Sequence, residues 1–305
     1  MPELPDITVY IERLQDLVAG RVLQRLRLLN AFVLRTAVPP VTLLEGRRVE
    51  TVQRLGKRVV LGFEGGLQLV VHLMIAGRLR WLAADARSPG PQALASFSVD
   101  NGVLVLTEAG TTRRASLHLL ADAAALAAMD PGGLEVLGAD VAAFKARLYS
   151  ENHTLKRALT DPHLFSGIGN AYGDEILHRA RLSPVTLTRS LDDAGVQRLL
   201  EAAGAVLTEW TDRLRAEAAP TGWPPKVTAF RPQMAVHGRY GLPCPDCGMP
   251  VQRIVHASNE TNYCARCQTG GKLLADRSLS RLLKEDWPST LEELEEYVAS
   301  RGAAR

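Results

Sequence analysis

Cys244-Pro245-Asp246-Cys247 and, sixteen residues later, Cys264-Ala265-Arg266-Cys267 are the stretches that decide how the end of this chain folds. They contain the only four cysteines among 305 residues. Each CxxC pair can place two thiolates on one ion, and four thiolates complete a closed tetrahedral zinc site with no open position. Gly248 follows the first pair, where a knuckle turn often needs positive φ. Disulfides are the competing arrangement. The sequence has no secretory signal or membrane span, and a chain of this length needs no covalent staples. The spacing therefore predicts one structural Zn2+ whose binding contributes to folding of the segment, with no chemistry at the metal.

Upstream of the finger the texture changes several times. A loop rich in Pro and Gly covers 219–232, and a helical, Ala/Leu-rich region with few strand signals covers about 117–218. From about 21 to 107 the pattern is strand-like, with short apolar runs at 58–63, 67–73 and 103–107. Gly65-Gly66 and Asn101-Gly102 separate such runs and signal hairpins. Ile7, Tyr10, Leu14 and Leu17 recur at helical spacing over 6–19, with Asp6 placed as the N-cap. Residues 271–300 read as an appended helical tail. The fold class is α+β and multidomain: an N-terminal helix with an antiparallel β-sandwich, then helices, then the four-cysteine finger.

The N-terminus, Met1-Pro2-Glu3-Leu4-Pro5-Asp6, carries a second chemical signal. Removal of Met1, which a small second residue permits, would expose the secondary amine of Pro2. An α-amino group titrates near pH 8, so a useful fraction is nucleophilic at neutral pH. Such an amine can form a Schiff base with a sugar aldehyde carbon, and the Glu3 carboxylate could move protons in the same step. A start codon followed by a helix-opening loop would look the same in isolation.

The net charge of +3 is mild and does not by itself identify a polyanion ligand. Arg54, Lys57, Arg58, Arg78, Arg80, Arg113, Arg114, Lys156 and Arg157 nevertheless fall in short clusters between apolar runs, as a phosphate-tracking surface requires. Ser166-Gly167-Ile168-Gly169-Asn170-Ala171-Tyr172 precedes a helical run at 171–181. Its exposed backbone N–H groups and the Asn170 amide could receive a phosphate.

Taken in order, these motifs resemble the formamidopyrimidine-DNA glycosylase/endonuclease VIII family of base-excision repair enzymes over roughly residues 2–268. The match comprises Pro2-Glu3-Leu4-Pro5, Lys57, His72-Leu73 opening a segment closed by Gly77, and Arg113-Arg114. It continues through Lys156, the Gly167–Tyr172 turn with Glu175, Val236-His237-Gly238-Arg239 and the finger. The resemblance implies a helix–two-turns–helix domain between sandwich and finger. The expected domains are 1–130 (catalytic sandwich), 131–232 (helix–two-turns–helix), 233–270 (finger) and 271–305 (C-terminal extension).

It also implies roles. Pro2 would attack C1′ of the damaged nucleotide, Glu3 would move a proton at O4′, and elimination would then cut the strand. Asp6 stands where the family has glutamate, and Lys57 would hold the phosphate beside the lesion. His72, Lys156 and Asn170 would contact the DNA, and Lys226, with Thr221 and Thr228, lies where relatives carry a lesion-recognition loop. The void-filling wedge methionine falls at Ile75, with Met74 beside it, and Arg113 would pair with the orphaned base. Two positions depart from the pattern: the aromatic wedge is Ala115, and the phosphate-gripping finger arginine is Asn259, followed by Glu260. The expected partner is double-stranded DNA containing a damaged base or abasic site, bound by a monomer in the bacterial cytoplasm at the nucleoid, with no membrane. A bifunctional glycosylase/lyase is the first reading. A damaged-DNA-binding protein that kept the scaffold without catalysis is the alternative.

Overall fold

The computed structural model describes residues 1–84, 90–110, 112–225, 227–228, 230–256, 259–274, 288–290, 292–293 and 296. The chain divides into two compact units: Met1–Gly133 with Thr208–Ala229, and Leu134–Leu207 with Phe230–Arg305.

The first unit begins with helix α1 (Leu4–Val18) and continues with strands β1 (Arg25–Leu28), β2 (Val49–Leu55), β3 (Arg58–Phe63), β4 (Gln68–His72), β5 (Gly77–Leu82), β6 (Ala93–Val99), β7 (Gly102–Glu108) and β8 (Ser116–Leu120). A short helix α2 (Ala123–Ala127) follows. The strands form two antiparallel four-stranded sheets, ordered β1-β6-β7-β5 and β2-β3-β4-β8. Alternate residues of both sheets enter one core: Val59, Leu61 and Phe63 of β3, Leu69 and Val71 of β4, Phe97 and Val99 of β6, and Leu104 and Leu106 of β7. This is the period-two pattern that a pleated strand imposes. Ile7, Tyr10, Ile11, Leu14 and Val18 of α1 join the same core at helical spacing. Each such side chain contributes about 2 kcal/mol through removal from water.

The sequence expectations for β3, β4, β7 and the sandwich hold, while three details differ. Helix α1 starts earlier than 6, its N-cap is Glu3, and Asp6 is the N3 residue of a capping box in which its carboxylate accepts the Glu3 N–H at 3.0 Å. Pro5 in the first turn lacks an N–H that would have gone unused there. Residues 116–120 are strand rather than helix, because Leu117 and Leu119 face the core while β8 pairs along β4. Gly102 is not the hairpin's bend. It opens β7 opposite Val99, and a Cβ there would meet the Trp81 ring at 2.4 Å, so close packing requires the glycine. At Gly65 and Gly66, by contrast, φ is +82° and +86°, and the turn itself requires them.

The second unit contains α3 (Val141–Ser150), α4 (Leu155–Thr160), α5 (Asn170–Arg179), the first part of α6 (Asp193–Ala218), β9 (Gln252–His256), β10 (Asn259–Tyr263) and α7 (Ala265–Thr269). Strands β9 and β10 pair antiparallel as the finger's hairpin. From Thr208 onward, α6 belongs to the first unit, where Leu214 and Ala218 pack on Val9 of α1. Arg215 there grips Glu12 with contacts of 2.6–3.1 Å. Most of the expected C-terminal helical tail lies outside the described residues. Within the described part, the Leu273 N–H donates to the Ser289 carbonyl.

Candidate active site

The amino terminus is built into the first unit. Pro2, Glu3 and Asp6 are buried and Met1 is half-buried at the start of α1. Burial is the largest influence on the terminal amine and lowers its pKa below the usual value. Glu3 opposes this, Arg78 reinforces it, Asp6 opposes it and Lys57 reinforces it. An amine, two carboxylates and two cations therefore share one corner. Their balance lowers the pKa of this Met1 amine, with burial as the leading cause. Lys57 occupies the tight β2–β3 turn, half-buried beside Gly56, whose φ is +59°.

Arg78, grouped with the phosphate-tracking cations on sequence, has a different position. Its Nε donates to the Val227 carbonyl at 2.5 Å and its Nη1 to the Ile75 carbonyl at 3.1 Å. Trp223 fastens the same segment: its indole N–H donates to the Leu79 carbonyl at 3.2 Å, and its ring lies 5.4 Å from that of Tyr10. Thr221 caps this stretch by donating to the Trp223 carbonyl, and Thr228 is half-buried. Lys226 lies outside the described residues. Sequence reading missed Trp223 and the structural work of Arg78. A lone tryptophan in a Pro/Gly-rich loop was the available signal.

The turn between β4 and β5 carries the expected void-filling residues. Met74 adopts φ +52° and is half-buried, while Ile75 is 59% exposed. The conformation of Met74 thus presents Ile75 outward. Arg113 is exposed, with one guanidinium nitrogen bonded to the Pro91 carbonyl at 2.9 Å. Ala115 is only 2% exposed. The buried Glu108 carboxylate accepts the N–H groups of Arg114 and Ala115, each at 2.9 Å, and so fixes this loop.

His72, at the end of β4, is held neutral. Burial first, then Arg58, Lys57 and His118, lower its pKa from 6.5 to about 4. It therefore offers a hydrogen bond rather than a charge to any phosphate at neutral pH. In the unfolded chain the imidazole takes up a proton as pH falls through 6.5, whereas the folded state resists until about 4. Stability contributed by this site is complete above that window and is lost on acidification across it, amounting to about 3 kcal/mol. Urea unfolding of His72→Asn should show a correspondingly weaker loss of stability between pH 7 and pH 4. An unaltered pH slope would contradict this assignment.

In the second unit, the expected phosphate ligands belong to a buried polar network. Lys156, whose side chain is 11% exposed, bonds the Asn170 carbonyl and Asp174 Oδ1, each at 2.5 Å. Asp174 Oδ2 receives the Asn262 N–H at 3.1 Å and lies 2.7 Å from His237 Nδ1. Glu175 accepts the N–H groups of Ala235, Val236 and His237 at 2.7–2.9 Å. The Asn170 amide donates to the Glu260 carbonyl at 2.8 Å. The structure thus brings Lys156 and Asn170 together and ties both to the finger's hairpin. The Ser166–Gly169 turn is buried, so its backbone is not the exposed anion cradle expected from sequence. Asn259 is exposed at the start of β10. Arg253 bonds Glu260 at 3.2 Å while stacking 4.2 Å over the Tyr240 ring. This pairing offsets the repulsion that Glu260 alone would exert on a phosphate.

The four cysteine sulfurs lie within 4.8 Å of one another, with Cys244–Cys267 at 4.0 Å and Cys247–Cys264 at 3.4 Å. Four thiolates around tetrahedral zinc have edges of about 3.8 Å, and no disulfide joins any pair. Gly248 has φ +77°, as the knuckle requires. The donor set fits one structural Zn2+, held by Cys244, Cys247, Cys264 and Cys267. His178 Nε2 lies 3.3 Å from Cys244 Sγ, the orienting type of contact that surrounds metal ligands.

Comparison with known proteins agrees with this architecture. Residues 1–115 match the formamidopyrimidine-DNA glycosylase N-terminal domain, 133–214 the formamidopyrimidine-DNA glycosylase H2TH domain, and 241–270 the zinc finger found in FPG and IleRS. The chain is 34% identical over 279 residues to a formamidopyrimidine-DNA glycosylase of Thermus thermophilus, covering 89% of this chain and 100% of the relative. A Mycobacterium tuberculosis formamidopyrimidine-DNA glycosylase-like protein is 41% identical over 157 residues, covering 52% of this chain and 95% of that one. The crystal structure of MutM (Fpg) from Thermus thermophilus superposes with a TM-score of 0.71 at 32% identity, over 88% of this chain and 98% of that one. Lactococcus lactis Fpg in complex with abasic-site DNA shares the fold, with a TM-score of 0.77 at 22% identity over 88% and 99% of the two chains. This chain belongs to the formamidopyrimidine-DNA glycosylase family. Among the described residues, no helix is long and apolar enough to cross a membrane.

Proposed function

We propose that the protein is a base-excision DNA glycosylase with abasic-site lyase activity, acting as a monomer on damaged double-stranded DNA at the bacterial nucleoid. The observation that carries this reading is the buried start of α1, where Pro2, Glu3 and Asp6 lie and where Glu3, Arg78, Asp6 and Lys57 all act electrostatically on the Met1 amine. With Met1 removed, the Pro2 nitrogen attacks C1′ and the damaged base departs with the C1′–N bond pair. Glu3 takes up the proton that Pro2 loses after attack and passes it to O4′. The departing base is protonated from water, and the C1′–O4′ bond opens to leave an iminium on Pro2. That cation acidifies the C2′ proton, and its loss expels the 3′ phosphate oxygen. Asp6 holds the Glu3 backbone and is a positioning residue.

Lys57 and His72 contact phosphates near the lesion, while Lys156 and Asn170, engaged in their own polar network, bear on the DNA indirectly by holding the finger's hairpin. These contacts position the duplex without reading its sequence. Ile75 enters the space left by the flipped nucleotide, and Arg113 faces the orphaned base. Ala115 and Asn259 alter the damage-reading surface, so the preferred base need not be 8-oxoguanine.

The test is borohydride trapping of the full-length protein on abasic-site duplex, with mass spectrometry of the adduct. A covalent adduct confined to the N-terminal peptide, lacking Met1, is expected. A protein that binds the same DNA yet traps with no lesion tested would be a non-catalytic damage binder.

A further inference from the structure

Phe32 is 82% exposed, an unusual setting for a phenylalanine in a unit with an ample core. It lies on a one-turn 3-10 helix, Ala31–Val33, whose cap Asn30 accepts the Phe32 N–H at 3.0 Å. Both sides of this turn are stitched to the sandwich. The Leu29 and Asn30 N–H groups donate to the Leu94 carbonyl at 2.9 and 3.1 Å, and the Arg35 N–H donates to the Leu117 carbonyl at 2.8 Å. Leu119 N–H adds a bond to Thr36 Oγ1 at 2.8 Å. The ring is therefore displayed on a rigid mount.

Its surroundings say what it faces. Phe32 lines one small depression with Asn30, Val33, Leu94, Arg113 and Ala115. Arg113 and Ala115 belong to the loop that Glu108 fixes, so ring and guanidinium are held on one frame. At position 115 the small side chain is buried and presents nothing to a ligand, while the neighbouring exposed ring and cations (Arg35, Arg113 and Arg114) suit a base π-face flanked by phosphates.

We propose that Phe32 supplies the aromatic surface on which the duplex stacks beside the flipped nucleotide, replacing from the β1–β2 connection what position 115 lacks. The assignment rests on the base-flipping reading above. Stacking on one aromatic ring changes affinity by about tenfold or more.

The test uses a duplex containing a tetrahydrofuran abasic analogue with 2-aminopurine opposite it, and the same tetrahydrofuran strand alone. Wild type, Phe32→Ala, Phe32→Trp and Val38→Ala are compared, since Val38 is an equally exposed apolar residue nearby at 83%. Phe32→Ala is expected to lower the preference for duplex over single strand about tenfold and to alter the 2-aminopurine emission on binding. Phe32→Trp should preserve both, and Val38→Ala should match wild type. The proposal is overturned if Phe32→Ala behaves as wild type, or if Val38→Ala causes the same loss. Tetrahydrofuran carries no C1′ leaving group, so these readouts do not depend on Pro2 chemistry. Failure of wild-type trapping would remove the catalytic reading and leave Phe32 to be judged by binding alone.

Discussion

Pro2→Gly is expected to slow covalent trapping on abasic-site DNA by about a hundredfold or more, with duplex affinity nearly unchanged. Glycine still offers an amine once Met1 is removed, so the effect isolates two properties of the proline. A secondary amine gives an iminium that is cationic without further protonation, whereas a glycine imine must first acquire a proton. Proline also fixes φ, and the buried start of α1 aims its nitrogen from a rigid base. Borohydride trapping rates on one abasic duplex, paired with affinities measured on a tetrahydrofuran duplex, separate chemistry from binding. Equal trapping rates for the two proteins would show that neither the secondary amine nor the ring's rigidity contributes to the chemistry.

Cys264→Ser is expected to release the metal and most duplex affinity together, while the β-sandwich remains folded. Hydroxyl is a poor zinc ligand, and the energy of metal binding is the folding energy of such a finger. Burial also pushes the Cys264 thiol up to about 11, so without a cation this sulfur stays protonated and neutral. Loss of the finger's hairpin would remove the partner of the Asn170 amide and the Asn262 N–H that helps hold Asp174. The finger's hairpin and the network it anchors should therefore be lost with the metal, reducing affinity by more than about tenfold and flattening its salt dependence. Metal content by atomic absorption, salt-dependent binding, and the unfolding of each unit provide the check. Full DNA affinity in zinc-free protein would refute the coupling.

Features carried by short contiguous patterns were legible in the sequence. The cysteine spacing specified the metal site, period-two runs marked β3, β4 and β7, and Gly65-Gly66 marked a turn that needs positive φ. Features arising between distant residues were not. Trp223 donates to Leu79 across 144 positions, and Asp174 meets Asn262 across 88. Nothing local announces either contact. Strand β8 was mistaken for helix because Ser116–Leu120 is too short for periodicity to decide, and only pairing with β4 does so. Arg78 reads in sequence as one more surface cation, whereas its guanidinium holds the carbonyls of Val227, Ile75 and Gly77. The boundary of α1 moved because Glu3 and Asp6 cap it jointly, a division of labour that composition cannot reveal.

The fastening of Trp223 and Val227 onto the sandwich has an entropic consequence for any ligand that meets them. A reader that folds only around its target gives up conformational entropy at that moment and can adapt to many shapes. Here the indole bond to Leu79 and the Arg78 clamp hold Trp223 and Val227 before any ligand arrives. Whatever meets these two residues therefore encounters a preset outline, as a part meets a machinist's gauge, and no ordering cost falls on binding there.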